Sequence, residues 1–270
     1  MALPQRRDSP ARSALVGFGL ALFGLFVATV LTSPLAFLDP GLADPDVSAD
    51  RWSVITMMAL NFGGFFLAGA IYLAYTGRGW SYVDLRLPTK RDLLWIVGTT
   101  VGSILFIIAF GIVVQLLELP SAPNEIVTVV GDDQVLLLAM FAIVVFANAP
   151  AEEFLFRNVI QKRLYEGYST GVAIVLASVI FTVVHFPAFL TGGGPMLATL
   201  VSLTAIFVGS LIFGYAYAKT DNLVVPTAAH AGFNLFQFGL LYLQLEYGDP
   251  EELEEMQTAL LEALLALTPV

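Results

Sequence analysis

Long apolar runs alternate with short polar loops along the chain. Seven of these runs have membrane-spanning length: roughly 13–37, 52–75, 93–117, 135–161, 170–187, 196–218 and 223–245. An α-helix rises about 1.5 Å per residue, so about 20 apolar residues cross the roughly 30 Å hydrocarbon layer. A barrel strand needs only about 10, which makes these runs helical in length. The pattern predicts an all-α fold, a polytopic transmembrane helix bundle of about seven spans. Beyond the last run, Asp249-Pro250-Glu251-Glu252 reads as a capped helix start with acid in its first turn. Leu253, Met256, Leu260, Leu261, Leu264 and Leu265 then recur at helical spacing, predicting a C-terminal amphipathic helix over 249–267, peripheral to the bundle.

Composition agrees. The 270 residues are 57% hydrophobic and 13% charged, against about 25% charged in soluble domains. Span-plus-loop units fill the chain, so residues 1–270 are expected to form a single integral membrane domain. Eleven of the twelve basic residues fall on one side of the predicted topology: those before 13, between 75 and 93, around 157–163, and Lys219. Only Arg51 falls on the other. The positive-inside rule then predicts a protein of the cell membrane with a cytoplasmic N-terminus and, after seven spans, an external C-terminus. The first run is too long for a signal-peptide core and reads as the first span. A net charge of −10 without a basic surface argues against a nucleic-acid partner, and leaves membrane lipid as the expected surroundings. With no cysteine, disulfides, thiolate metal sites and a cysteine nucleophile are excluded.

Polar residues inside the runs carry the candidate chemistry. Ionisable groups are expensive in a bilayer and usually face a bundle interior or a wet cavity. The fourth run reads Asn148-Ala149-Pro150-Ala151-Glu152-Glu153-Phe154-Leu155-Phe156-Arg157. Glu153 and Arg157 are i and i+4 with the acid N-terminal, the favourable order for a pair. Glu152 is rotated about 100° away, towards the face of Asn148 and Phe156. The chain's two histidines are His185, near the end of the fifth run, and His230, one turn before Asn234 in the seventh. Depths counted from the predicted cytoplasmic surface place Glu152, His185, His230 and Asn234 about 10–22 Å into the membrane. Convergence on one cavity is therefore feasible. Ser210, Gly214 and Ala218 form a small-residue stripe that predicts close helix packing.

A carboxylate beside a histidine in a partly desolvated cavity can deprotonate water and later return the proton to a leaving amine. A second histidine and a carboxamide can donate to an oxyanion. That set suits peptide hydrolysis without a covalent nucleophile or cofactor. Two histidines and a glutamate also match a catalytic zinc set, with Glu152, His185 and His230 as ligands, although HExxH is missing. A packing network in a non-catalytic scaffold or immunity protein is the bland alternative. A proton-coupled transporter would use similar groups but calls for inverted repeats, which are not evident.

Glu152-Glu153-x-x-x-Arg157, Phe181-x-x-x-His185 and His230-x-x-x-Asn234 resemble the three motifs of the CAAX-protease and bacteriocin-processing family, the type II CAAX prenyl endopeptidases and their abortive-infection relatives. The resemblance covers about 135–240 and implies an intramembrane endopeptidase open to the cytosol. It implies that Glu152 and His185 activate water, that His230 and Asn234 hold the oxyanion, and that Glu153 and Arg157 support them. Some members are described as metalloproteases. The implied substrate is a peptide or protein, lipidated in the relatives that trim prenylated CAAX termini.

Overall fold

The computed structural model describes residues 8–44, 47–120, 133–190 and 195–247. Seven long helices account for most of them: α1 (Pro10–Leu38), α2 (Arg51–Tyr75), α3 (Lys90–Leu116), α4 (Gln134–Leu164), α5 (Thr170–Leu190), α6 (Met196–Thr220) and α7 (Val224–Tyr247). No strand occurs among the described residues. Each expected run becomes a helix, and α1 to α6 are long and apolar enough to cross a membrane. The seventh differs. α7 has comparable length, but His230, Asn234 and Gln237 interrupt its apolar run, and it falls outside that class. The helix expected over 249–267 lies outside the described residues.

Local chemistry sets the helix starts. Ser9 caps α1 ahead of Pro10, Asp50 caps α2, and Asp133 accepts from the Leu136 amide to open α4. Thr89 and Asp92 form a reciprocal capping box at α3. These side chains satisfy amides that have no partner within the helix.

α4 is the central post of the bundle, with α1, α2, α5, α6 and α7 packed about it and α3 closing the ring between α6 and α7. Its middle is shut in, with Phe154, Leu155, Phe156, Val159 and Ile160 buried against α1, α2 and α5 between buried polar residues. Phe156 sits edge-on to Phe65 of α2 and to Phe181 of α5, with ring centres 6.1 and 4.9 Å apart. Lipid offers no hydrophobic gain on helix association, so close packing matters most. At Gly64 the backbones of α2 and α1 approach so closely that a Cβ would lie 2.5 Å from the Ala28 Cα.

Pro150 has no N–H to give to the carbonyl of Phe146. Directly before it, α4 widens into a π turn over Val144–Asn148, and it widens again over Phe154–Gln161. The short α segment Ala149–Glu153 between them carries both acids. Such π insertions bend a helix and recur at functional sites.

At the end of the bundle that carries most of the basic residues, the connection from α2 to α3 folds back onto α4. Lys162 pairs with Asp84 at 2.7 Å, the Tyr217 hydroxyl donates to Asp84 at 2.5 Å, and the Leu223 amide donates to the Asp84 carbonyl at 2.7 Å. Arg78 and Arg163 both engage Glu166, and Arg163 also pairs with Asp8. Burial pushes the Tyr165 phenol up to about 12, and burial, then the neighbouring Asp84, raises the Asp221 carboxyl.

Candidate active site

α4, α6 and α7 bring one polar cluster together inside the bundle. Arg157 donates from Nε to Glu153 Oε2 at 2.9 Å, and both residues have no exposed surface. The i, i+4 pairing expected from the sequence is present, even though Arg157 lies on a π turn. A second Arg157 nitrogen donates to the Ser210 hydroxyl at 3.0 Å, and the guanidinium lies 5.1 Å from the centre of the Phe181 ring. Two members of the small-residue stripe of α6 meet α4: Ser210 accepts from Arg157, and Gln161 donates to the Gly214 carbonyl at 2.9 Å. A Cβ at Gly214 would lie 2.8 Å from Gln161 Oε1.

His230 of α7 lies between the two acids. Its Nδ1 is 3.0 Å from Glu153 Oε1 and its Nε2 is 3.9 Å from Glu152 Oε2. An ionised carboxylate only accepts, so Nδ1 carries a hydrogen and Nε2 is the nitrogen turned towards Glu152. Phe213 stacks on the imidazole at 4.9 Å and fixes its plane. The space between Nε2 and Glu152 exceeds a direct hydrogen bond and suits a bridging oxygen.

Asn234 stands one turn beyond His230. It donates through Nδ2 to Asn148 Oδ1 at 3.0 Å, which leaves its second N–H available. Asn148 is one turn before Glu152, so α4 orients both the acid and the carboxamide. His185 is the exception. Its Nδ1 donates to the carbonyl of Phe181 in its own helix at 2.7 Å, leaving Nε2 free. Its ring packs on Phe181, which in turn lies against Arg157. No hydrogen bond or ion pair joins His185 to either glutamate. Exposure follows the same order. Glu153 and Arg157 are sealed, Glu152 and His230 are 5% and 7% exposed, and His185 and Asn234 are half-buried.

Glu152, His185 and His230 do not gather as a metal ligand set, and among the described residues no three His, Cys, Asp or Glu side chains do. Glu153, the acid nearest His230, is already held by Arg157.

Asn148, Phe181, Ser210 and Phe213 position the cluster, and motif reading left them without roles. Asn148 had a visible signal, a carboxamide in an apolar run on the Glu152 face. Phe213 had none, because one phenylalanine in a span looks like any other.

The fold is that of a polytopic helical membrane protein with acids, a histidine and carboxamides facing one another inside the bundle. Residues 134–236, from the start of α4 into α7, match the family model described as type II CAAX prenyl endopeptidase Rce1-like. Over that stretch the chain is similar to this family, as its three motifs implied. No curated protein and no solved structure matches the chain.

Proposed function

We propose that the protein is an intramembrane endopeptidase in which Glu152 activates water. The observation that carries this reading is the position of His230, bonded to Glu153 at Nδ1 and facing Glu152 across 3.9 Å at Nε2. A water between Glu152 and the free Nε2 of His185 loses its proton to the carboxylate and adds to the scissile carbonyl carbon. The oxyanion is held by His230, which Glu153 orients at Nδ1, and accepts from the second N–H of Asn234. As the C–N bond breaks, Glu152 returns the proton to the amine. Glu153 and Arg157 act on the histidine rather than on the substrate. Each step uses only protein side chains and water.

The site narrows from His185 and Asn234 towards the sealed Glu153–Arg157 pair, so the peptide enters from the half-buried side. The family match supports a peptide or protein substrate, with prenylated CAAX-like C-termini as the first class to try. The basic end of the bundle lies in the cytoplasm, with the N-terminus, in a protein of the cell membrane surrounded by lipid. The C-terminus lies outside if α7 completes a seventh crossing.

The test is cleavage of a prenylated CAAX peptide by the purified protein in liposomes. Glu152→Gln and His185→Ala are expected to abolish product while detergent melting temperatures stay close to wild type. Activity lost on chelation and restored by zinc would replace this reading with the metal-dependent one.

A further inference from the structure

The outer face of the bundle carries a second feature that the protease chemistry does not use. Between α3 and α6 runs a groove of about 640 Å³, within the range of small-molecule sites, roughly 300–1,000 Å³. Leu94, Gly98, Val208, Leu211 and Ile212 form its apolar part, and Arg91, Trp95 and Tyr215 stand at the end nearer the basic side of the bundle. α6 separates it from the protease site. Ser210, Phe213 and Gly214 face inward to Arg157, His230 and Gln161, whereas Leu211, Ile212 and Tyr215 face the groove.

Charge singles out its mouth. In the described chain every basic residue but three lies against a carboxylate, from Arg12 with Asp8 to Arg163 with Glu166. The three left without a carboxylate partner among the described residues are Lys90, Arg91 and Lys219, all exposed. They fall at the adjoining ends of α3 and α6, the helices that make the groove. In a chain of 22 acids and 12 bases, three unpaired cations at one place are not explained by a shortage of partners. Lys219 lies 5.1 Å from the centre of the Tyr215 ring, and Tyr215 meets Trp95 edge-on at 5.9 Å. The α3 and α6 ends are also tied by Arg86, which donates to the Thr220 carbonyl at 2.8 Å. The mouth is therefore a braced pair of helix ends carrying free cations and interfacial aromatics above an apolar slot.

We propose that this groove is a binding site for one anionic phospholipid. The headgroup phosphate sits between Arg91 and Lys219, Trp95 and Tyr215 lie at the ester level, and an acyl chain runs over Gly98 between Leu94 and Leu211. Basic pockets between membrane helices select anionic headgroups, and tryptophan and tyrosine settle at the interface. Gly98 keeps the slot open: a Cβ built there meets nothing within 4 Å.

The test uses the full chain purified in detergent, with dioleoyl phosphatidylglycerol and dioleoyl phosphatidylcholine as probes and native mass spectrometry as the readout. One phosphatidylglycerol per chain is expected, preferred over phosphatidylcholine by about 25-fold, since two basic groups contribute about fivefold each. Arg91→Gln with Lys219→Gln removes the preference, and both positions are exposed, so the fold is not at risk. Gly98→Leu fills the slot with every charge retained and is expected to lower phosphatidylglycerol binding at least tenfold, at an unchanged lipid-free melting temperature. Equal binding of the two lipids overturns the proposal. So does full retention in Gly98→Leu, which reduces the effect to surface charge. Displacement of phosphatidylglycerol by a farnesylated peptide makes the groove a substrate-tail site and also overturns it.

Discussion

Two ionic networks stand on α4, two turns apart, and they are built to opposite ends. Around Asp84 each contact closes on a partner: Lys162 and the Tyr217 hydroxyl take its carboxylate, and Asn158 and the Leu223 amide take its backbone groups. Around Glu153 the closure is one-sided. Arg157 and His230 satisfy Glu153, while Glu152 beside it faces an imidazole nitrogen across a space too wide for a direct bond. The first network holds a loop to the end of the bundle. The second leaves one acid inside it without a direct partner, the acid proposed to activate water. A network that leaves a desolvated carboxylate open gives up stability that packing would otherwise supply, and enzymes make that exchange at their active sites.

Breaking the sealed pair is expected to have the largest effect on stability. Arg157→Ala leaves Glu153 charged and without its guanidinium at zero exposure, which costs about 3–5 kcal/mol when such a pair is broken. Glu153→Gln combined with Arg157→Ala costs much less, since no orphan charge remains. A double-mutant cycle read by denaturation in detergent checks this, and a coupling near zero would return both residues to the pool of reacting groups.

The residues proposed as oxyanion donors come next. His230→Ala or Asn234→Ala is expected to lower kcat about 10²–10³-fold, or about 2.7–4 kcal/mol of barrier, with KM nearly unchanged. Asn148→Ala acts only through the Asn234 carboxamide, so its loss in kcat is smaller and its KM likewise steady. Steady-state kinetics on the three variants separates donor from positioner.

At the other network, Asp84→Asn is expected to cost about 1.5–3 kcal/mol, the range for hydrogen bonds to a charged group. Activity per folded molecule should remain. The smallest effect concerns Asp221, the left-handed cap of α6, where burial, then Asp84, raises the carboxyl. A carboxyl raised in the folded state binds its proton more tightly there than in the unfolded chain. Its contribution to stability is therefore lost as pH rises from the ordinary carboxylate value through the folded one. Asp221→Asn is expected to raise the melting temperature slightly at pH 7, with the charge-dependent part of the gain vanishing on acidification to below the ordinary carboxylate range. A gain independent of pH would assign it to the left-handed backbone alone.

Sequence reading reached the helices because a bilayer forces length and apolarity onto every span. It reached Glu152, Glu153, Arg157, His230 and Asn234 because polar groups in such spans have few reasons to be there. The Glu153–Arg157 pair was legible since both lie on one helix, where spacing fixes geometry. The bond from His230 to Glu153 was not, because it joins α7 to α4 across 77 positions, and no local rule sets which acid a distant imidazole meets. Depth and motif placed His185 with the others, but neither fixes azimuth, and α5 turns it towards Phe181. The π turns flanking Ala149–Glu153 were invisible in the sequence, where only Pro150 marks a break in the helix.

In the proposed function Glu152 is chemical and Asp84 structural, and one paired measurement addresses both. Glu152→Gln and Asp84→Asn are purified side by side, and each is assayed for its melting temperature and for cleavage of a prenylated CAAX peptide in liposomes. The expected result is a crossed pattern: Glu152→Gln melts with the wild type and yields no product, while Asp84→Asn melts lower and cleaves at the wild-type rate per folded molecule. A Glu152→Gln protein that still cleaves, or that loses activity only in step with its stability, would contradict the account.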